Sequence, residues 1–246
     1  MNLLEHCIIP DWPAPKNVRA LQTTRLGGIS AAPYDTFNLG DHVGDAPLAV
    51  ARNRMLLNTF LPSEPVWLQQ VHGTVIANAD MASCLPKADA CIARHRDAVC
   101  VVMTADCLPV LLCDKQGSVV GAAHAGWKGL AAGVIETTVR AMDVVPQNLL
   151  AWLGPAISQQ AFEVSDEVRA LFLKTDPKAA SAFISNLPGK WFADIYALAR
   201  LRLSSLGISQ VYGGGHCTFI EQDRFFSYRR EGVTGRMGTF IWLDNT

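Results

Sequence analysis

The sequence predicts an α/β fold in which helices cover a mixed β-sheet. Short apolar runs recur along the chain, segments with helical spacing separate the later runs, and a three-residue polar turn joins two of the runs directly. A direct turn between neighbouring runs is typical of antiparallel strands, whereas an intervening helix allows parallel pairing. Together these features favour a mixed sheet over a regular, parallel, doubly wound one.

Seven runs have the length and the apolar composition of β-strands. They cover residues 66–71, 99–104, 110–113, 118–123, 149–153, 209–212 and 239–243. Several are apolar at consecutive positions, which is typical of strands that are buried on both faces. Lys115, Gln116 and Gly117 separate the third run from the fourth and predict a hairpin turn.

Three segments have helical spacing. The first begins at Trp127 and carries apolar residues at three- and four-residue intervals as far as Met142. The second covers residues 165–173, with Ser165 as its N-cap, and the third covers residues 194–206 before Gly207. Because no repeat, low-complexity tract or linker interrupts the sequence, we expect residues 1–246 to form a single domain.

Composition excludes several classes of protein. Of the 246 residues, 50% are hydrophobic and 17% are charged, and the net charge is −1, so the chain has the composition of a folded protein. It lacks the basic surface of a nucleic-acid-binding protein, and no run approaches the roughly 20 apolar residues of a membrane span. Residues 1–10 lack the basic start of a signal peptide. We therefore expect a cytoplasmic protein with neither nucleic-acid nor membrane partners.

The cysteines do not predict disulfides. There are seven of them, and none forms a Cys-x-x-Cys pair; they stand at positions 7, 84, 91, 100, 107, 113 and 217. An odd number without paired spacing is unlike a disulfide scaffold or a structural zinc site. Most are expected to be core thiols in a reducing compartment.

Three turn-forming motifs place a metal-binding side chain just beyond a predicted strand. They are QVHG around His72, ADCLP around Cys107 and HAGW around His124. Two imidazoles and one thiolate can bind zinc, and three protein ligands with a fourth open position are typical of catalytic zinc. A single histidine or cysteine at a strand end is more often a structural residue, and spacing alone does not bring the three together. Both interpretations remain open at this stage.

Five motifs resemble those of the bacterial YfiH family. They are QVHG (70–73), TADCLP (104–109), HAGWKG (124–129), GPAI (154–157) and FSYRR (226–230), and the similarity spans nearly the whole chain. Members of the family are described as laccase-domain or polyphenol oxidase proteins, purine nucleoside phosphorylases or peptidoglycan editing factors. The resemblance implies a three-layer α/β sandwich similar to the catalytic domain of cytotoxic necrotizing factor, which uses a Cys-His pair.

The resemblance also implies the site residues. His72, Cys107 and His124 would bind one metal ion, zinc in the usual assignment and copper as the alternative, and would act in catalysis. Asp106, beside the cysteine, is either a proton shuttle or a residue that orients the Cys107 loop. The expected substrate contacts are Arg25, Asn38, Gln70, Arg229 and Arg230.

Three functions remain open. The first is a zinc-dependent purine nucleoside phosphorylase that converts adenosine or inosine and phosphate to base and ribose 1-phosphate, with adenosine deamination as a further activity. The second is a hydrolase that removes wrongly incorporated amino acids from UDP-MurNAc-peptide precursors, by zinc hydroxide or by Cys107 with His124 as base. The third is a metal-binding protein without turnover. Laccase activity is disfavoured because the chain has six histidines and no His-x-His pair.

Overall fold

A mixed six-stranded sheet forms the centre of the structure, a computed structural model that describes residues 3–81 and 85–244. The cysteine at position 84 lies outside the described residues. The strands, in chain order, are β1 (Val18–Gln22), β2 (Ile76–Asn78), β3 (Ala90–Ala93), β4 (Cys100–Thr104), β5 (Leu108–Asp114), β6 (Val120–Ala125), β7 (Leu149–Leu153), β8 (Glu163–Ser165), β9 (Phe183–Ser185), β10 (Lys190–Ala193), β11 (Gln210–Gly213) and β12 (Met237–Leu243).

The central sheet has the strand order β11-β7-β5-β6-β3-β2. Its three inner pairings are antiparallel, while β11 pairs with β7 and β2 with β3 in parallel. The predicted hairpin joins β5 to β6, and Gly117 in its turn has φ +67, a conformation that glycine adopts without steric cost. The prediction of a mixed sheet is confirmed.

The helices are short. They are α1 (Pro47–Asn58), α2 (Trp127–Ala132), α3 (Val134–Met142), α4 (Asp166–Thr175), α5 (Ile195–Ser205) and α6 (Tyr228–Glu231). Asp194 caps α5, because its carboxylate accepts a hydrogen bond from the N–H of Ala197. Within the described ranges, none of these helices has the length and apolar character needed to cross a membrane.

The structure has three layers with a hydrophobic core between each adjacent pair, which together form a double core. Helices α2, α3 and α5 cover one face of the central sheet, and an antiparallel three-stranded sheet, β1-β12-β4, covers the other. Alternate residues of β5 enter the two cores, with Val110 and Leu112 on the helix side and Leu111 and Cys113 between the sheets. This arrangement explains the consecutive apolar positions, and the α/β sandwich is confirmed with a second sheet as one of its layers.

The outer face of the three-stranded sheet is covered by α1 and by the segment that contains Phe37 and Leu39. Sequence analysis did not predict α1, because its buried residues, Val50, Asn53 and Leu57, form a narrow stripe that includes an amide. The third, small sheet, β8-β10-β9, was not predicted either.

Two sequence predictions were wrong in detail. Residues 66–71 do not form a regular strand, and Val66 makes only a single bridge to Cys100. The apolar side chains of Trp67 and Leu68 are instead buried in two of the hydrophobic cores. The helix predicted from Trp127 to Met142 is divided into α2 and α3. Gly133 divides it, with φ +97 at the end of α2.

The packing between the two sheets can be tested with Leu111→Ala. Leu111 is fully buried there, so the substitution removes apolar contacts and leaves a cavity. We expect the free energy of unfolding, measured by urea denaturation, to fall by about 2–5 kcal/mol. Leu48→Ala is the control, since Leu48 on α1 is 81% exposed and its truncation should cost less than about 0.5 kcal/mol. Equal losses in the two variants would contradict the double core.

Candidate metal centre

The three candidate ligands meet at one end of the central sheet. Cys107 lies where the chain leaves β4 of the three-stranded sheet and enters β5 of the central sheet. His124 is the next-to-last residue of β6 and pairs in register with Pro109 of β5, two residues beyond Cys107. His72 lies in an irregular loop and has φ +60. The prediction that each candidate ligand lies just beyond a strand therefore holds only for Cys107, three residues after β4, although all three side chains meet.

The ligand atoms are close enough to hold one metal ion. The Cys107 sulfur and one ring nitrogen from each histidine all lie within 4.8 Å of one another, and residues 3–81 and 85–244 contain no other such group of three. The Cys107 Sγ is 3.8 Å from His72 Nε2, and the two imidazole centroids are 4.7 Å apart. His124 is buried, Cys107 is half-buried and His72 is exposed, so the group is open on one side.

Gly126 keeps space for an ion beside these donors. A Cβ atom at this position would lie 2.9 Å from the Cys107 Sγ and 2.9 Å from His72 Cδ2. Any other residue at position 126 would therefore crowd the donor atoms. The open space and the two-nitrogen, one-sulfur donor set fit zinc, and imidazole and thiolate also bind copper.

Asp89, a residue that sequence analysis missed, holds both histidines in place. Its carboxylate accepts a hydrogen bond from His124 Nδ1 at 2.9 Å, which directs Nε2 toward the other ligands. The same carboxylate accepts the backbone N–H groups of Val71, His72 and Gly73 at 2.6–3.2 Å. The backbone carbonyl of Asp89 also accepts the N–H of His124. The only sequence signal was a single carboxylate immediately before an apolar strand.

These contacts set the charges of the site. Burial alone would raise the pKa of Asp89. The hydrogen bonds from His124 and Gly73 outweigh this effect and lower the pKa to about 2. Burial likewise opposes the charged forms of Cys107 and His124. Their mutual attraction dominates, lowering the pKa of the Cys107 thiol to about 6 and raising the pKa of His124 to about 9. The lowered pKa favours the thiolate form of Cys107, which is the form that binds metals and acts as a nucleophile.

Asp106 anchors the turn that carries Cys107. It has φ +87, and its carboxylate accepts hydrogen bonds from the Thr218 hydroxyl and from the N–H of Arg229, each at 2.6 Å. The two bonds use different carboxylate oxygens, and the residue is 8% exposed. Asp106 thus ties the β4–β5 crossing to two distant segments of the chain.

Two cavities flank the metal-binding group. The polar cavity, of about 330 Å³, is also lined by His42, Gln70, Met103, Thr104 and Arg236. The aromatic cavity, of about 320 Å³, is also lined by Asp106, Trp127, Lys128, Ile157, Phe162 and Arg229. His72, Cys107, Ala105 and Tyr228 line both cavities. Each volume is at the lower end of the range for ligand pockets, roughly 300–1,000 Å³.

Two of the five expected substrate contacts line these cavities. Gln70 lines the polar cavity, where its side-chain amide exchanges two hydrogen bonds with the backbone of Met103. Arg229 lines the aromatic cavity, and its Nη1 donates to the carbonyl oxygens of Ala161 and Glu163.

The other three expected contacts lie outside both cavities. The Arg230 guanidinium donates to the carbonyl oxygens of Thr218, Phe219 and Phe225. Arg25 lines a separate cavity of about 380 Å³ and pairs with Glu231 at 2.9 Å. Asn38 is fully buried, and its Oδ1 accepts the N–H of Arg236. None of these three residues lines either cavity, whereas Arg236, Tyr228 and Thr104 line the polar cavity directly.

The fold and the site define a class: an α/β sandwich with an open two-histidine, one-cysteine centre between two cavities. The chain belongs to the family described as multi-copper polyphenol oxidoreductase laccase, whose sequence model matches residues 19–244. Among its relatives is the purine nucleoside phosphorylase YfiH of Escherichia coli, 53% identical over 239 residues, which are 96% of this chain and 98% of the relative. A purine nucleoside phosphorylase of Haemophilus influenzae is 48% identical over 96% of this chain and 99% of its own.

Solved structures share the whole fold. A protein of Neisseria meningitidis is 52% identical, covers 98% of this chain and 100% of its own, and superposes with a TM-score of 0.94. YlmD from Geobacillus stearothermophilus is 31% identical over 95% of this chain and 94% of its own, with a TM-score of 0.88. The resemblance to the YfiH family that the motifs indicated is confirmed.

Replacing Asp89 should weaken the metal site through its neighbours. Asp89→Asn retains the shape of the side chain but removes the negative charge that orients the His124 imidazole and binds the loop of His72. We expect zinc affinity, measured by competition with a chelator, to fall about 10- to 100-fold.

Asp80→Asn is the matched control for this experiment. The Asp80 carboxylate also accepts backbone N–H groups, from Arg94 and His95, but it has no part in the metal-binding group. Its substitution should leave zinc affinity unchanged. An equal loss of zinc in both variants would mean that Asp89 acts only through general stability.

Proposed function

We propose that this chain is a zinc-dependent purine nucleoside phosphorylase, which converts adenosine or inosine and phosphate to the free base and ribose 1-phosphate. The observation that carries the proposal is the position of His72 and Cys107, two members of the metal-binding group, on the wall shared by two cavities with different linings. Two reactants can meet there from opposite sides. The choice of substrates is supported by relatives that are 48–53% identical over nearly the whole chain and are named purine nucleoside phosphorylases.

The aromatic cavity is suited to the nucleoside. Trp127 and Phe162 provide rings against which a purine base can pack, and Ile157 adds an apolar surface. Stacking of a base on an aromatic ring contributes about 1–3 kcal/mol and accepts any purine. Lys128 and Arg229 supply hydrogen-bond donors to the ribose or base at the same wall.

In the reaction, a phosphate oxygen bonds to the anomeric carbon of the ribose while the bond from that carbon to the base nitrogen breaks. The departing base takes up the proton that hydrogen phosphate gives up. A zinc ion held by His72, Cys107 and His124 would supply a fixed positive charge that polarises an oxygen atom of a reactant. Asp89 fixes the orientation of the His124 ring, and Asp106 fixes the turn of Cys107. We therefore propose a positioning role for Asp106.

We also propose that residues 1–246 form one catalytic domain in the cytoplasm. Strand β1 near the start of the chain pairs along its whole length with β12 near the end, so the two ends belong to one sheet. The six described cysteines are free thiols, which fits a reducing compartment.

One geometric observation favours a second candidate, a hydrolase of cell-wall precursor peptides. Asp89 accepts the hydrogen bond of His124 Nδ1, and the Cys107 sulfur lies within 4.8 Å of a ring nitrogen of His124, so His124 stands between a carboxylate and a thiol. This is the order of nucleophile, base and orienting acid in cysteine hydrolases. Cys107 would attack an amide carbonyl carbon, and His124 would protonate the amine that leaves.

The phosphorylase proposal predicts one zinc ion per chain and phosphate-dependent turnover. We expect adenosine and inosine to give free base and ribose 1-phosphate at a rate that saturates with phosphate, as measured by mass spectrometry. We expect zinc to be lost in each of the variants His72→Ala, Cys107→Ala and His124→Ala. The rate of turnover should fall about 100-fold or more, because a metal ion stabilises the transition state by several kcal/mol. His95→Ala, a change to a 77%-exposed side chain outside the metal-binding group, should retain both.

Water attack on adenosine would give inosine without phosphate, so the same assay separates deamination from phosphorolysis. Release of base that does not depend on phosphate would contradict the phosphorylase.

Alkylation distinguishes the metal ligand from the free nucleophile. If Cys107 binds zinc, iodoacetamide should leave it unmodified in the zinc-loaded enzyme, and a chelator should expose the thiol and abolish turnover. Peptide mass spectrometry locates the label. Cys91 and Cys113, fully buried core thiols, serve as internal controls that remain unlabelled in both states. Rapid labelling of Cys107 in the zinc-loaded protein, with peptide hydrolysis that survives metal removal, would favour the hydrolase.

A further inference from the structure

The polar cavity contains one arginine, Arg236, whose guanidinium is only partly used by the protein. Its Nη1 donates to the carbonyl oxygens of Thr234 and Gly235, each at 2.9 Å, which holds the group in place. Among the described residues we find no hydrogen bond from its Nε or Nη2. Arg230, by contrast, donates from both terminal nitrogens to backbone carbonyls. Arg236 therefore retains donors that can bind an anion in the cavity.

Thr104 lies beside Arg236 at the end of the three-stranded sheet. It is the last residue of β4 and pairs in register with Met237, the residue that follows Arg236. Thr104 lines the polar cavity and is 1% exposed, yet its hydroxyl makes no hydrogen bond to any described residue. A buried hydroxyl without a partner is destabilising and requires an explanation. A bound ligand would provide the missing partner.

An oxyanion fits this combination of groups. A guanidinium binds phosphate through two parallel hydrogen bonds, and a neighbouring hydroxyl can donate to a further oxygen. Asp106, a carboxylate that lines the aromatic cavity, accepts hydrogen bonds from Thr218 and from the Arg229 N–H, and it makes no hydrogen bond to Arg236. The aromatic cavity lacks Thr104 and Arg236 and offers rings instead.

We infer that the polar cavity is the oxyanion subsite of this protein, in which Arg236 binds inorganic phosphate and the Thr104 hydroxyl donates to one of its oxygens. The identity of the anion as phosphate rests on the proposed phosphorylase function. The subsite leaves the aromatic cavity to the nucleoside and places the two reactants on opposite sides of Cys107 and His72. Thr104 and Arg236 then determine selectivity for phosphate.

The test measures binding of inorganic phosphate to the zinc-loaded protein by titration calorimetry, together with the KM for phosphate and for inosine. Thr104→Val removes the hydroxyl and keeps the shape, whereas Thr104→Ser keeps the hydroxyl. Arg236→Lys keeps the charge and loses the planar fork. Thr138→Val and Arg140→Lys are matched controls, since Thr138 is a buried threonine of α3 bonded to the Val134 carbonyl and Arg140 lines a different cavity.

We expect Thr104→Val to raise the Kd and KM for phosphate about 10- to 100-fold, the usual effect of losing a hydrogen bond to a charged group. Arg236→Lys should raise both about tenfold or more. Thr104→Ser and the two controls should remain within about twofold of the parent, and the KM for inosine and the zinc content should not change. Without phosphate, the urea midpoint of Thr104→Val should equal or exceed that of the parent, because no protein partner loses a bond.

The outcomes separate this inference from the proposed function. If Thr104→Val and Arg236→Lys bind phosphate as the parent does, or if they raise the KM for inosine instead, the subsite assignment is wrong even when phosphorolysis occurs. If the parent binds phosphate in a manner that depends on both residues but cleaves no nucleoside, the subsite stands and the phosphorylase function fails. A parent protein that binds no phosphate at all overturns the subsite.

Discussion

The site depends on one buried carboxylate, Asp89. Its side chain is fully buried, and its charge is stabilised by the His124 ring and by three successive backbone N–H groups of the loop that carries His72. That loop contains no regular strand to hold it, so these hydrogen bonds replace a sheet ladder. The same carboxylate also fixes which nitrogen of His124 faces the metal-binding group. Two candidate ligands that are 52 positions apart in sequence are thereby held by one residue.

The second constraint is the passage of the chain from one sheet to the other. Residues 105–107 connect β4 of the three-stranded sheet to β5 of the central sheet, and this short crossing places Cys107 at the junction of the two layers. Asp106 holds the crossing in a left-handed conformation through bonds to Thr218 and Arg229. Cys107 lines a cavity on each side of this junction. The two-sheet arrangement therefore positions the candidate site as well as the core.

The sequence singled out the three candidate ligands, which the structure brings together, but it did not reveal their surroundings. Gly73 directly follows His72, and Pro109 and Gly126 stand two positions after Cys107 and His124, a local pattern that can be seen in the sequence. Pro109 lies within β5, however, and the turn before Cys107 is made by Asp106 with φ +87. Asp89 has no such mark, because its partners are 16–35 positions away.

The arginines show the same limit of sequence reasoning. Arg229, Arg230 and Arg236 are equivalent as letters, yet the structure assigns Arg230 to backbone carbonyls and leaves donors of Arg236 facing a cavity. The apolar composition of residues 66–71 led to a wrong prediction of a strand, because buried side chains outside a strand give the same apolar pattern. The sequence shows which residue types are present and what stands next to them, but it does not show which distant groups they hydrogen-bond to.

The site has fewer metal-binding side chains than the family description, a multi-copper oxidoreductase, implies. A multicopper oxidase gathers several copper ions, held largely by imidazole, so that electrons can pass between them. Within the described ranges, one group of three donors exists, and His6, His42, His95 and His216 are not part of it. A single open centre cannot relay electrons among several ions. It can place a polarising charge between two reactants that occupy adjoining cavities, which is what a group-transfer reaction requires. The donor count and the paired cavities together favour transfer chemistry over the oxidation that the family description names.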